Sequence, residues 1–346
     1  MRICSFVSAI LCLVLIGCQR PAKSDGEAPV KGAKLKIVFI PKNSGNPYFA
    51  AMEKGFADAS KELGAEFTSV APSTGEATSQ IPIIKDQIQR KVDVIAISPN
   101  SPDALNEVLD EARDQGILVI TADADLAGNE SRRVASVLPT DFDKLGESQV
   151  ALLGSQIGYE GEIAILSATR DAPNQNMWIE GMKATLKQPK YAKMKLVEVV
   201  YGDDVAEKSA TETEALLAKY PNLRGIIAPT SAGLPAAAKS LEIAGVYPGG
   251  PNAKAGVFLT GLSTPNPLKD FVAKGVVQAF QLWSPYDMGK LACYMAYQIK
   301  TGKVKPGEGV EFEAPGLGKR TFGKNNVVSL GPLTTFTKEN IASFDF

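Results

Sequence analysis

The sequence predicts an α/β fold of two doubly wound, three-layer lobes, each built on a parallel sheet. Short apolar runs of about four to seven residues recur along the chain, and each leads into a segment with helical periodicity. Continuous apolar runs indicate parallel strands that are covered by helices on both faces. The units are too many for one comfortable sheet and lack the even spacing of a (β/α)8 barrel, which is the alternative fold. The 346 residues also suffice for about two domains.

Eight apolar runs define the predicted strands. They lie at residues 36–40, 92–98, 117–123, 162–168, 195–202, 224–229, 256–263 and 276–283. The helix after the first run presents one apolar stripe and should stop at Gly64. After the second run, Ser101 fits a helix N-cap, Pro102 the first helical position and Gly116 the C-terminal stop. Each unit therefore predicts a strand, a loop at its carboxyl end and a helix.

Composition excludes several classes of function. The chain contains no histidine, which rules out Ser-His-Asp and Cys-His nucleophiles, histidine bases and histidine-ligated zinc. The 37 basic and 38 acidic residues nearly balance, and no basic stripe favours nucleic acid. Catalysis by carboxylate, lysine or tyrosine stays open on composition alone.

The N-terminus predicts export and a lipid anchor. Residues 1–17 combine a positive start with an apolar core of signal-peptide length. The segment closes in "LIGC", which resembles a bacterial lipoprotein lipobox with Cys18 as the modified cysteine. An ordinary signal peptide that happens to contain cysteine is the alternative. Residues 18–34 read as a flexible tether, and Cys293 lies in an apolar helical pattern that suggests core packing.

Candidate site residues follow the predicted strands, because ligands of open α/β sheets bind at the carboxyl ends of the strands. These positions carry amides, hydroxyls, carboxylates, one lysine and several aromatic rings. They lie at 42–49, 98–100, 123–125, 169–178, 229–231, 263–265 and 283–285. Carboxylates and amides bind vicinal hydroxyls, and aromatic faces pack on the C–H face of a sugar ring. The mixture, which is poor in arginine, therefore predicts a neutral polyhydroxylated ligand.

No cofactor or metal motif is found. No G-x-G-x-x-G follows a strand, so a dinucleotide site is unsupported. "EAPGLGKRT" departs from a phosphate loop at Glu313 and Arg320 and reads as an ordinary loop. "DFDKLGE" lacks the ligand spacing of a calcium loop. Asp203 and Asp204 read as the solvated start of a helix.

Several motifs together resemble a known family. "NPYF" (46–49) after the first strand, "TADAD" (121–125), the serial β/α units and the lipobox look like a type I periplasmic sugar-binding protein of bacterial ABC importers. The resemblance covers essentially the whole mature chain. Its rhamnose-binding and autoinducer-2-binding branch is suggested by residues 174–178, 226–238, 261–292 and 336–346.

The resemblance implies two lobes joined by a three-segment hinge, with the ligand in the cleft between them. The crossings are expected near Pro139, Leu282 and Val327. The N-terminal lobe would comprise residues 35–139 plus 283–326, and the C-terminal lobe residues 140–282 plus 327–346.

The resemblance also implies individual ligand contacts. Lys42 sits where autoinducer-2 receptors keep a ligand-contacting lysine, and Asp123 where sugar receptors keep a hydroxyl-binding aspartate. Gln175 matches a ligand glutamine. The predicted ligand set is Lys42, Asn46, Tyr48, Phe49, Asp123, Asp125, Asn174, Gln175, Pro229, Thr230, Ser231, Ser263 and Trp283. Asn46 precedes Pro47 and fits a helix N-cap equally well.

Two departures from the autoinducer-2 pattern bear on the ligand. That pattern has aspartate where this chain has Asn174, and Pro-Asp-Ala where this chain has residues 229–231. Both changes remove a carboxylate and favour a 6-deoxyhexose such as rhamnose. Another sugar and autoinducer-2 remain alternatives.

The function predicted from the resemblance is capture, without catalysis, of a small sugar for a membrane-embedded ABC permease. The protein would be a monomer, anchored through Cys18 on the extracytoplasmic face of the cell envelope, with no cofactor, metal or nucleic acid. A sensory receptor that feeds a membrane kinase fits the same residues. A repressor would need a helix-turn-helix before residue 36, and a hydrolase would need paired carboxylates, for which Asp123 and Asp125 are the candidates.

Overall fold

The computed structural model describes residues 34–139, 142–254 and 256–346. The predicted signal peptide, Cys18 and all of the predicted tether except its last residue lie outside these ranges. Within these ranges, no helix is long and apolar enough to cross a bilayer.

Strands and helices alternate along most of the chain. The strands are β1 (Lys36–Ile40), β2 (Glu66–Ser69), β3 (Val94–Ile97), β4 (Leu118–Ala122), β5 (Ala135–Leu138), β6 (Glu160–Ser167), β7 (Lys193–Tyr201), β8 (Leu223–Ala228), β9 (Phe258–Gly261), β10 (Ala279–Leu282), β11 (Glu311–Ala314), β12 (Gly318–Thr321), β13 (Val327–Ser329) and β14 (Thr334–Thr337). The helices are α1 (Pro47–Leu63), α2 (Ile81–Gln89), α3 (Asn106–Asp114), α4 (Phe142–Ile157), α5 (Pro173–Leu186), α6 (Ala206–Lys219), α7 (Gly233–Ala244), α8 (Lys269–Ala273) and α9 (Pro285–Lys300).

The first lobe, here the N-lobe, is built on a six-stranded parallel sheet in the order β13-β5-β4-β3-β1-β2. Along β1, Val38 and Ile40 belong to the core under α2 and α3, whereas Ile37 and Phe39 face the core that holds α1 and α9. Both faces of the strand are buried, which is why its sequence is apolar without alternation.

The second lobe, here the C-lobe, has a parallel sheet in the order β7-β6-β8-β9. Strands β10 and β14 form an antiparallel pair beside it, and a bridge between Leu262 and Gln281 joins the two sheets. The predicted α/β class with parallel sheets in two lobes is confirmed.

Three crossings join the lobes. The first follows Leu138, the second lies between Leu282 and the start of α9, and the third spans residues 330–333. The first and third crossings are tied together, because the Leu330 N–H donates to the carbonyl oxygens of Leu138 and Pro139, both at 2.9 Å.

The third crossing lies later than the sequence suggested. Val327–Ser329 pairs in parallel with Ser136–Leu138, so this strand closes the edge of the N-lobe sheet. The predicted crossing near Val327 is therefore too early, and the N-lobe extends through Ser329. A short apolar run does not reveal which of two sheets it will join.

Other local predictions also differ from the structure. The loop predicted around "EAPGLGKRT" contains the antiparallel hairpin β11–β12. Strand β5 was not predicted, and no α-helix separates it from β4. The Ser101 hydroxyl accepts the Asp103 and Ala104 N–H groups at 3.3 and 3.1 Å, but α3 begins only at Asn106. Gly64 ends α1 in the left-handed conformation, as predicted.

Helices α1 and α9 approach closely through two glycines. A Cβ on Gly55 would lie 2.0 Å from the Tyr286 carbonyl oxygen, and one on Gly289 would lie 2.1 Å from the Met52 carbonyl oxygen. The absence of side chains at these positions therefore sets the helix separation that lets α9 complete the N-lobe.

We predict that Gly289→Ala lowers the free energy of unfolding by about 2–3 kcal/mol, because the added methyl group forces the two helices apart. Chemical denaturation measures this loss. Gly307→Ala is the control, since its new Cβ would meet its nearest neighbour, Val310 Cγ2, at 3.4 Å. Equal stability of the Gly289→Ala protein and the wild type would contradict the packing argument.

Candidate functional site

The carboxyl ends of the strands in both lobes face one cavity beside the hinge. Its volume is about 420 Å³, including the part that is open to solvent. Its walls combine polar side chains, aromatic rings and two leucines. The lining residues are Lys42, Asn46, Tyr48, Phe49, Asp123, Ala168, Asn174, Gln175, Trp178, Asp204, Pro229, Thr230, Ser231, Leu262, Leu282 and Trp283.

Lys42 spans the cleft from the end of β1. Its side chain is buried, and its Nζ donates a 2.8 Å hydrogen bond to Asn174 Oδ1 in the C-lobe. Burial lowers the pKa of Lys42, while the charges of Asp123 and Asp204 act to raise it. The lysine is therefore held by opposite charges of both lobes.

Asp123 follows β4 in a left-handed backbone conformation, with φ of +73°. Its N–H donates to the Val137 carbonyl oxygen at 3.0 Å, which fixes the turn. Its Oδ2 accepts a 2.6 Å hydrogen bond from the Ser98 hydroxyl, and Asn174 Nδ2 lies 3.5 Å from the same oxygen. The carboxylate is thus aimed at the cavity from the N-lobe, 3% exposed.

Aromatic rings form the wall at the hinge. The Tyr48 ring packs edge-on against Trp283 with centroids 6.0 Å apart, and Trp283 packs against Trp178 at the same distance. Trp283 Nε1 donates a 2.9 Å hydrogen bond to Tyr48 Oη. Burial and the charge of Asp123 raise the pKa of the Tyr48 phenol, which therefore stays protonated. Phe49 packs on Tyr48 at 5.1 Å.

Asn46 caps α1 and also lines the cavity. Its Oδ1 accepts the Tyr48 N–H at 3.1 Å, as an N-cap does. Its Nδ2 reaches across to Asp204 Oδ2 at 3.3 Å. Both roles that the sequence suggested for Asn46 are thus compatible.

The C-lobe wall is held by a chain of amide hydrogen bonds. Gln175, on the first turn of α5, donates through Nε2 to the Pro229 carbonyl oxygen at 2.7 Å. Its Oε1 accepts from the Ser167 hydroxyl at 3.0 Å. Thr230 and Ser231 follow β8 at the entry to α7 and complete this wall.

Two predicted site residues do not line the cavity. Asp125 turns away and forms a bidentate ion pair with Arg133, whose Nη2 and Nε lie 2.6 and 2.9 Å from the carboxylate oxygens. Ser263 is fully buried beside the hinge, where its N–H donates to the Gln281 carbonyl oxygen at 3.3 Å. Both lie close in sequence to strand ends, but neither contributes to the lining of the cavity.

The sequence interpretation missed Asp204. The sequence predicts a solvated helix start at this position, but in the structure Asp204 follows β7, is partly buried and lines the cavity. The strand-end argument, applied to β7 as to the other strands, would have found it. Trp178, Leu262 and Leu282 also belong to the lining.

The cavity has one cation and two carboxylates among its lining residues, namely Lys42, Asp123 and Asp204. No arginine lines it, and the described residues contain no cluster of acidic or sulfur ligands that would hold a metal. The arrangement offers hydrogen-bond donors and acceptors to a small uncharged molecule, with aromatic and aliphatic groups on one side.

The chain is similar to known proteins over most of its length. The family described as periplasmic binding protein domain matches residues 37–304. A crystal structure of an ABC transporter solute binding protein from Clostridium phytofermentas with bound L-rhamnose is 32% identical, with a TM-score of 0.84 over 90% of this chain and 98% of that chain. LsrB from Clostridium saccharobutylicum in complex with AI-2 is 25% identical, with a TM-score of 0.83 over 90% of this chain and 100% of that chain.

A curated relative shows lower similarity. The ribose import binding protein RbsB of Bacillus subtilis is 24% identical over 183 residues, which are 53% of this chain and 57% of that protein. The match thus spans little more than half the length of this relative.

We predict that Asp125→Asn costs about 3 kcal/mol of unfolding free energy, because it leaves the Arg133 guanidinium buried without its charge partner. The Arg133 side chain is 2% exposed and that of Asp125 13%. Thermal or chemical denaturation measures the loss.

Glu180→Gln is the matched control, since Glu180 pairs with Lys183 at the surface, with side chains 72% and 43% exposed. Its removal should change stability by less than about 1 kcal/mol. Equal effects of the two substitutions would show that the Asp125 pair is not a structural anchor.

Proposed function

The chain belongs to the periplasmic binding protein family, and from that premise we propose that it captures one small monosaccharide between its lobes for an ABC importer. The observation that carries this proposal is the convergence of strand-end residues from two sheets on one cavity at the hinge. Lys42 and Asp123 reach it from the N-lobe, and Gln175 and Ser231 from the C-lobe. A ligand that contacts both walls stabilises the closed arrangement of the lobes.

The chemistry of the walls supports a neutral sugar. Asp123, Asn174 and Gln175 supply carboxylate and amide groups for hydroxyls, and Trp178 and Trp283 supply ring faces for C–H groups. We propose binding without catalysis, because the family match and the 32% identical structure are both to solute-binding proteins. Asp125, the carboxylate nearest to Asp123 in sequence, is bound to Arg133.

The favoured ligand is L-rhamnose or a similar 6-deoxyhexose. The solved relative with bound L-rhamnose is 32% identical over 90% of this chain. Leu262, Leu282 and Trp178 give the cavity an apolar side that suits the methyl group of a 6-deoxy sugar. A hydroxymethyl group at the same place would bury an additional hydroxyl.

Two alternatives use the same cleft, and one of them rests on a specific observation. The 25% identity to LsrB in complex with AI-2 supports an autoinducer-2 receptor, although Asn174 and Thr230 depart from the pattern of that branch. A sugar sensor that presents its closed form to a membrane kinase would use the same cleft. Both alternatives keep the proposed location, which is the extracytoplasmic face of the cell envelope with a lipid anchor at Cys18. In the favoured proposal the protein is a monomer there and delivers the sugar to a membrane permease.

Isothermal titration calorimetry of the purified protein tests the ligand. The panel comprises L-rhamnose, L-mannose, D-ribose, D-allose, D-xylose, L-arabinose and autoinducer-2. We predict that L-rhamnose binds with a dissociation constant below millimolar and at least about tenfold more tightly than L-mannose, which differs by the buried 6-hydroxyl. Tighter binding of autoinducer-2 would select the alternative ligand. Absence of heat from the whole panel would overturn the proposed function.

A further inference from the structure

Asp204, in the C-lobe, is hydrogen-bonded to residues of both lobes. Its carboxylate accepts a hydrogen bond from the Thr230 hydroxyl in its own lobe and another from Asn46 Nδ2 in the N-lobe, the latter at 3.3 Å. Its carbonyl oxygen lies 3.4 Å from Asn43 Nδ2, also in the N-lobe. One residue therefore connects the lobes through its side chain and its backbone.

Asp204 lies in a turn with an unusual backbone conformation, which fixes the direction of its side chain. Asp203 and Asp204 are both left-handed, with φ of +53° and +59°. The left-handed region is unfavourable for residues other than glycine, so two successive aspartates in it need contacts that hold the turn. The turn is held to the end of β6, because the N–H groups of Gly202 and Asp203 donate to the Ser167 and Ala168 carbonyl oxygens at 2.9 and 3.2 Å.

The two aspartates of this turn face different surroundings. Asp203 pairs with Lys208, and its side chain is 44% exposed. Asp204 lines the cavity, where Lys42 and Asp123 are the charged groups that face it. The same backbone conformation thus sends one carboxylate to solvent and the other to the cleft.

The Asp204 carboxylate has acceptor sites left for a ligand. A carboxylate offers roughly four lone-pair sites, and the donors described here occupy two of them. Burial and the charge of Asp123 raise the pKa of Asp204, whereas the charge of Lys42 and the hydrogen bonds from Thr230 and Asn46 act to lower it. An additional hydroxyl donor in the cavity would stabilise the ionised form further.

We propose that Asp204 is a ligand-binding residue of the cleft, which accepts a hydrogen bond from a sugar hydroxyl on the C-lobe side. It stands opposite Asp123, so that the sugar is bracketed by one carboxylate from each lobe. With Lys42 the cleft then carries two negative charges and one positive charge, an arrangement that disfavours anionic ligands such as uronic acids. This inference rests on the proposed function.

The main test compares Asp204→Asn with the wild type in calorimetric titrations with L-rhamnose. Asparagine keeps the shape of the side chain and tolerates the left-handed backbone. We expect the dissociation constant to rise about 10- to 100-fold, because a hydrogen bond to a charged acceptor is lost. Asp203→Asn is the matched control, with the same change of charge in the same turn, and should stay within about twofold of the wild type.

Deoxy sugars separate direct contact from a structural effect. The 2-deoxy, 3-deoxy and 4-deoxy analogues of L-rhamnose are titrated against the wild type and Asp204→Asn. Direct contact predicts that one analogue binds the wild type weakly and that Asp204→Asn shows a much smaller penalty for that analogue. If another sugar of the panel binds most tightly, its deoxy analogues replace these.

The outcomes are distinct. Two results would overturn the role of Asp204 and leave the proposed function standing. One is that each deoxy analogue loses as much affinity in Asp204→Asn as in the wild type. The other is that Asp204→Asn binds L-rhamnose as tightly as the wild type does. If no sugar of the panel binds the wild type, the proposed function fails and this inference fails with it.

Discussion

The structure of the cleft depends on one buried charge. Lys42 is 7% exposed at the end of an apolar strand, and its ammonium group would be costly there without partners. The Asn174 amide oxygen accepts its hydrogen bond, and Asp123 and Asp204 supply the opposite charge. Since these partners come from both lobes, the lysine couples lobe closure to charge compensation. Breaking such a set by removing one member leaves an uncompensated charge.

The fold brings these partners together through the direction of its strands. In both sheets the carboxyl ends of the parallel strands face the hinge. Side chains that follow β1, β4, β6, β7 and β8 therefore meet in one cavity. The close approach of α1 and α9 keeps the N-lobe wall in place, and the Trp283 ring, in the second crossing, touches both lobes through Tyr48 and Trp178. A site shared by two lobes and a hinge suits a protein that works by closing on its ligand.

Sequence patterns predicted the fold class and most of the cavity lining, because buried parallel strands and their polar carboxyl ends leave a strong local signal. Lys42, Asp123 and Gln175 follow from that signal and from the resemblance. The direction of side chains within a turn does not follow from it. Asp125, two residues after Asp123, turns to Arg133, and Asp204 turns inward on a left-handed backbone. The membership of β13 in the N-lobe sheet depends on pairing between distant segments, which a single sequence does not display.

Tryptophan fluorescence tests the central claim most directly, because the chain has only two tryptophans and both line the cavity. A sugar bound between the lobes should produce a saturable change in emission and reduced quenching by acrylamide, with the same dissociation constant that calorimetry gives. Calorimetric binding that left emission and quenching unchanged would place the ligand elsewhere on the molecule and contradict the account.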